Sequence, residues 1–117
     1  VNSVDRERIK WKFGGYCAYC GKALEDNFHI DHVEPIYRGY LPKQYQNDTD
    51  ENKFPSCPRC NRWKGVLSVE KFRAEIEAQI LRLIRDSAGF RLASDFKLIS
   101  LTNNKVVFHF EKKAGVS

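Results

Sequence analysis

At 117 residues the chain is long enough for one domain with a core of its own. Hydrophobic residues make up 42%, aromatic residues 13% and charged residues 30%, which argues against disorder and requires a heavily solvated surface. The formal net charge of +5 suits a polyanionic partner. Four thiolates around one Zn²⁺ would lower it only to about +3.

No apolar run is long enough to span a membrane, and no leader pattern is visible. Methionine is absent even at position 1, so the numbering is expected to begin inside the natural chain or after processing. The expected location is the cytoplasm. The four cysteines fall in two Cys-x-x-Cys pairs, which could form two disulfides or one zinc site. In a reducing compartment such pairs bind metal or do chemistry, and zinc is the expectation.

Residues 2–13 are predicted to be a helix, with Ser3 as N-cap and Asp5 and Glu7 near its positive end. Ile9 and Phe13, at i and i+4, would face the core. Arg6, Arg8, Lys10 and Lys12 make the rest basic, as a solvated face or, less simply, a nucleic-acid contact. Gly14-Gly15 ends the helix. Tyr16-Cys17-Ala18-Tyr19-Cys20-Gly21-Lys22 has the form of a zinc knuckle, with Gly21 free to take a positive φ.

Residues 28–33 read as a strand after the Asp26-Asn27 turn. Alternation puts Phe28, Ile30 and His32 on one side and His29, Asp31 and Val33 on the other. Asp31 and His32 then diverge unless the chain bends, and Pro35 marks a break soon after. Residues 39–52 are polar and loop-like, and Lys53-Phe54 reads as a short strand.

Residues 58–64 should form a short helix, with Pro58 in its first turn and Gly65 at its end. Ser68 is the expected N-cap of a long helix over 69–87. Val69, Phe72, Ile76, Ile80, Leu83 and Ile84 would form its apolar stripe, either core or a dimer seam. Residues 96–101 and 106–110 read as two strands of a hairpin joined at Asn103-Asn104. His109, in the second of them, is expected to be structural.

The spacing of Cys17 and Cys20 against Cys57 and Cys60 predicts tetrahedral ligation with no open position, as a structural zinc requires. Such a clamp would supply much of the stability of a small domain. Asp31-His32 lies between the cysteine pairs, and Asn61 follows the last cysteine. A carboxylate and an amide oxygen are hard donors suited to Mg²⁺. A neutral histidine beside such an ion could act as a general base toward water.

These residues, with Pro35, Asn52 and Lys64, resemble the HNH endonuclease family over roughly residues 16–65. The resemblance implies an α+β fold: a zinc-stabilised ββα-metal (His-Me finger) core. To that core the sequence adds an N-terminal helix, a long C-terminal helix and a C-terminal β-hairpin. One domain is expected over 1–117, with the nuclease core at 16–65 and an extension at 66–117.

The resemblance implies a general base at His32, helped by Asn52, which supports the loop. Asp31 and Asn61 become ligands of a catalytic Mg²⁺ or Mn²⁺. His29, two residues before Asp31 on the same strand face, could be a further ligand, a phosphate contact or a surface histidine. Many members carry histidine where this chain has Asn61, a neutral oxygen donor. Cys17, Cys20, Cys57 and Cys60 hold the structural zinc. Arg59, Arg62 and Lys64 are the candidate contacts to the nucleic-acid backbone, with Arg38 and Lys43 weaker ones.

The expected activity is metal-dependent hydrolysis of DNA phosphodiester bonds, by nicking or by cutting both strands. Small members of the family occur in bacterial and phage genomes. The competing reading is a zinc-stabilised nucleic-acid-binding module without catalysis. It explains the charge and the cysteines but gives no role to Asp31, His32 and Asn61. A homodimer through the 69–84 helix is compatible with either.

Overall fold

The computed structural model describes residues 3–34 and 49–113. Residues 39–48 of the loop expected at 39–52, Pro35, and the candidate contacts Arg38 and Lys43 lie outside the described residues. The chain forms two compact units. One runs to Val69 and resumes at Val107; the other is Glu70–Val106.

The first unit opens with α1 (Ser3–Lys10), shorter than the expected 2–13. The chain leaves the helix in a series of turns, ending with φ of +74° at Gly14 and +90° at Gly15. Ile9 is buried, and Phe13 meets Phe54 edge-on at 5.0 Å. The basic residues of α1 are largely tied to the fold. The Arg6 guanidinium lies 3.9 Å from the Phe28 ring centre and donates to the carbonyls of Asp26 and Phe28. Arg8 pairs with Asp50, and Lys12 donates to the carbonyls of Asp50 and Lys53 at 2.7 and 3.1 Å. Thus α1 braces the entries of both strands.

The knuckle is a tight reversal. Tyr16 bridges to Ala23, the Cys17 amide donates to the Lys22 carbonyl at 2.8 Å, and Gly21 turns the chain with φ +77°. Strand β1 (His29–His32) pairs antiparallel with β2 (Lys53–Ser56), with His29 opposite Ser56 and His32 opposite Lys53. A 3₁₀ turn, Asp50–Asn52, leads into β2. Helix α2 (Pro58–Lys64) follows, capped by the Cys57 sulfur, which accepts from the Cys60 amide at 3.4 Å. Gly65, at φ +48°, ends it.

Residues from Val107 onward return to this unit, and here the expected hairpin fails. Among the described residues β1–β2 is the only sheet, and His109–Lys113 is a helix. The amides of His109 and Phe110 donate to the carbonyls of Tyr19 and Ala18 at 3.0 and 2.8 Å, and Glu111 accepts from the Phe108 amide at 2.9 Å. That last bond is the return half of a capping box, and it starts a helix where the alternating apolar pattern suggests a strand. Phe108 and Phe110 instead pack around Tyr19, with ring centres 5.2 and 6.1 Å away, and Phe110 also meets Phe54 at 4.9 Å. His109 serves structure, edge-on to Tyr16 at 5.8 Å.

The second unit holds α3 (Val69–Glu77), α4 (Gln79–Asp86) and α5 (Ala88–Asp95). The long helix expected over 69–87 is interrupted at Ala78. The Glu75 carbonyl, due to bond the Gln79 amide in a continuous helix, accepts from the Gln79 side chain at 2.9 Å. Ser87, expected as the helix end, takes an extended conformation and caps a new helix, its hydroxyl accepting from the Phe90 amide at 3.1 Å. Phe72 is buried as the stripe predicts, but Ile80, Leu83 and Ile84 remain 39, 40 and 36% exposed and form no core.

Candidate metal centre and active site

The two knuckles bring Cys17, Cys20, Cys57 and Cys60 together, with all four sulfurs within 4.8 Å of one another. Cys20 and Cys57 sulfurs are 3.8 Å apart. A tetrahedral zinc with Zn–S bonds of about 2.3 Å separates its sulfurs by about 3.8 Å, so the cluster fits that ion. Backbone amides already point at the sulfurs: Cys57 N–H donates to Cys17 at 3.3 Å. The contact between Cys17 and Cys60 lowers the thiol of the first and raises that of the second, so one proton is shared between them, while burial pushes the Cys20 thiol up. Thiolate is the form a metal needs. The cysteines are free rather than disulfide-bonded.

Of the three candidate backbone contacts on α2, two are exposed. Arg59 and Arg62 line an open cleft with Lys22, Glu25 and Asn27 beside the Cys57 knuckle. A hydrogen bond to the Cys20 sulfur raises the Arg59 guanidinium further. Lys64 is different. Its side chain is wholly buried, and its ammonium meets Asp31 at 3.1 and 3.3 Å. It also donates to the carbonyls of His32 and Val33 at 3.2 and 3.3 Å. A buried ammonium with four acceptors cannot reach a nucleic-acid backbone, so the expected role of Lys64 is corrected.

Asp31 is 5% exposed and sits at the centre of a buried network. The Tyr19 hydroxyl donates to one carboxylate oxygen at 2.5 Å, and Lys64 reaches both. Burial pushes the Asp31 carboxyl up, and the Tyr19 and Lys64 donors oppose it. Tyr19 is itself pushed up by burial and then by the Asp31 charge. Neither Tyr19 nor the buried Lys64 was apparent as a partner of Asp31 from sequence. The available signals were Tyr19's place between two knuckle cysteines and Lys64's position one helical turn past Cys60.

His32 ends β1, half-buried, and the residues after it are pinned from the 3₁₀ turn that leads into β2. The Asn52 side chain exchanges two bonds with the Glu34 backbone, accepting at 2.7 Å and donating at 2.9 Å. The Asn52 carbonyl takes the Val33 amide at 2.9 Å. Alternation along the regular β1 sends the side chains of Asp31 and His32 to opposite faces. His29 is exposed at the far end of the strand, opposite Ser56. Asn61 is half-buried on α2, one turn before Lys64 and so on the side that faces β1. Among the described residues, the four cysteines are the only cluster of three or more His, Cys, Asp or Glu side chains within reach of one metal.

Replacing Asn52 by Ala is expected to leave the Glu34 amide and carbonyl without their partners. The expected loss is about 1–3 kcal/mol of stability. Thermal melting of the zinc-loaded variant checks this, and an unchanged midpoint would remove Asn52 from the support of His32.

Residues 17–66 match the family model described as HNH endonuclease. Neither the curated proteins nor the solved structures gave a match to the chain.

Proposed function

We propose, from the HNH endonuclease domain that residues 17–66 carry, that this chain hydrolyses phosphodiester bonds in DNA. The observation that carries the reading is His32 at the end of β1, its carbonyl held by Lys64 and the backbone two residues on held by Asn52. A binding module without catalysis, the competing reading, gives that construction no role.

His32 accepts a proton from water, whose oxygen forms a bond to phosphorus in line with the departing 3′ oxygen. The bond to that oxygen breaks, and the departing oxygen takes a proton from solvent water, leaving 5′-phosphate and 3′-hydroxyl ends. Asn52 keeps the segment after His32 in place. The hard donors Asp31 and Asn61 suit Mg²⁺ or Mn²⁺, Asp31 retaining lone pairs beyond its two donors, and His29, two residues before Asp31 on the strand, is exposed. The cation, when bound, supplies positive charge against the phosphate and the leaving oxygen.

Arg59 and Arg62, with Lys22 beside them, are the proposed contacts to the DNA backbone. Arg62→Ala is expected to weaken DNA binding uniformly across sequences and to reduce the salt slope of the binding constant by about 1. A titration at several salt concentrations checks it, and an unchanged slope would place Arg62 off the DNA path. Homodimerisation through α4 remains part of the proposal, supported by the exposed Ile80, Leu83 and Ile84. Among the described residues no helix is long and apolar enough to cross a membrane.

Supercoiled plasmid incubated with the zinc-loaded protein in Mg²⁺, Mn²⁺ or EDTA tests the function. Nicked or linear product in a divalent metal, blocked by EDTA, is expected. Retarded but intact plasmid in every metal would replace the nuclease with the binding module.

A further inference from the structure

We infer that Lys64, together with Tyr19, is a positioning residue for His32, acting through Asp31 and the outgoing end of β1. The inference rests on the proposed nuclease reading for its kinetic consequence, but not for its structural one.

Lys64 carries three N–H donors on a side chain with no solvent exposure. Its acceptors all lie on three consecutive residues: the Asp31 carboxylate and the carbonyls of His32 and Val33. No other described lysine side chain is buried this deeply, and the cost of removing an ammonium from water is met only if those acceptors stay where they are. The ammonium therefore fixes where β1 ends, and with it the backbone from which the imidazole projects.

Tyr19 completes the arrangement from the opposite side. Its hydroxyl holds the Asp31 carboxylate at 2.5 Å, and its ring is wedged between Phe54, Phe108 and Phe110. Each anchor belongs to one half of the metal centre. Tyr19 lies between Cys17 and Cys20, and Lys64 ends the helix that Cys57 caps and that carries Cys60. Asn52 pins the next residues, 33 and 34, from the 3₁₀ turn before β2. The metal centre and the sheet thus converge on the backbone that presents His32.

The test uses Lys64→Met, which keeps length without charge, and Tyr19→Phe, which removes one oxygen. Both are prepared zinc-loaded, with zinc content and melting recorded beside two readouts. The first is the position of the His32 amide and ring resonances in labelled protein. The second is kcat and KM for plasmid cleavage. In Tyr19→Phe and Lys64→Met that retain zinc, the His32 resonances are expected to move. The kcat is expected to fall roughly tenfold or more with KM unchanged, since small misplacement of a reacting group has effects of that order. Unmoved resonances with unchanged kcat in the folded variants would overturn the inference. So would a rise in KM alone, which would return Lys64 to the DNA. If Lys64→Met does not fold, Tyr19→Phe decides. If the wild type cleaves nothing, the resonances still decide the positioning role, and only the nuclease reading falls.

Discussion

His32→Ala is expected to abolish plasmid cleavage while leaving zinc content and melting nearly unchanged. The imidazole is the proposed acceptor of the water proton, and alanine offers no replacement. Loss of a positioned general base costs about 10²–10⁴ in rate. The fold should hardly notice. His32 is half-buried, and the bonds that fix its segment are made by its carbonyl and by the backbone of Val33 and Glu34, which alanine retains. Supercoiled plasmid assayed beside the wild type measures the first effect, and circular dichroism melting the second. Full activity in the variant would remove His32 from the chemistry. A collapsed melting curve would mean that the imidazole holds the strand end together and that its lost activity says nothing of a base.

The larger expected effect on stability is at Cys57. Serine there removes one of four sulfurs within 4.8 Å of one another, and a hydroxyl is a poor substitute for thiolate on zinc. The same sulfur caps α2 through the Cys60 amide. A structural zinc contributes about 10–16 kcal/mol of apparent binding free energy. That is as large as the whole folding free energy of a typical domain, about 5–15 kcal/mol. Cys57→Ser is therefore expected to leave the first unit unfolded or melting far below the wild type, and a strong chelator should do the same to the wild type. Zinc analysis with a melting curve checks both. An unchanged curve in the variant would show that the cluster does not hold the fold.

The consequences of those two changes differ because of how the site is built. The proposed catalytic group, His32, projects from a strand end, and its removal leaves the supports intact. The supports are shared with the metal centre, so their removal takes the site with them. Arg6 and Arg8 of α1, with Lys12 just after it, extend this, on Phe28 before β1, on Asp50 in the 3₁₀ turn and on Lys53 at the start of β2.

What the sequence by itself determined is the part encoded in local spacing. Two Cys-x-x-Cys pairs announce one four-sulfur cluster, because knuckle geometry is a property of a few adjacent residues. The short strand around Asp31, the helix that starts at Pro58 and ends at Gly65, and the motif through Asn61 are legible for the same reason. The tertiary structure decided what depends on partners distant in the chain. Lys64 looks like a DNA contact by its neighbours Arg59 and Arg62, but the acceptors that bury it lie more than thirty residues away. The basic residues of α1 look like a solvated face, and Arg8 is exposed there, pairing with Asp50 at the surface, but Arg6 finds the Phe28 ring. Residues 106–110 alternate like a strand, but among the described residues no partner strand is offered. The carbonyls of Ala18 and Tyr19 and the aromatic cluster around Tyr19 take them instead. Alternation records which side chains seek burial; the backbone bonds available at the place where they are buried select the conformation.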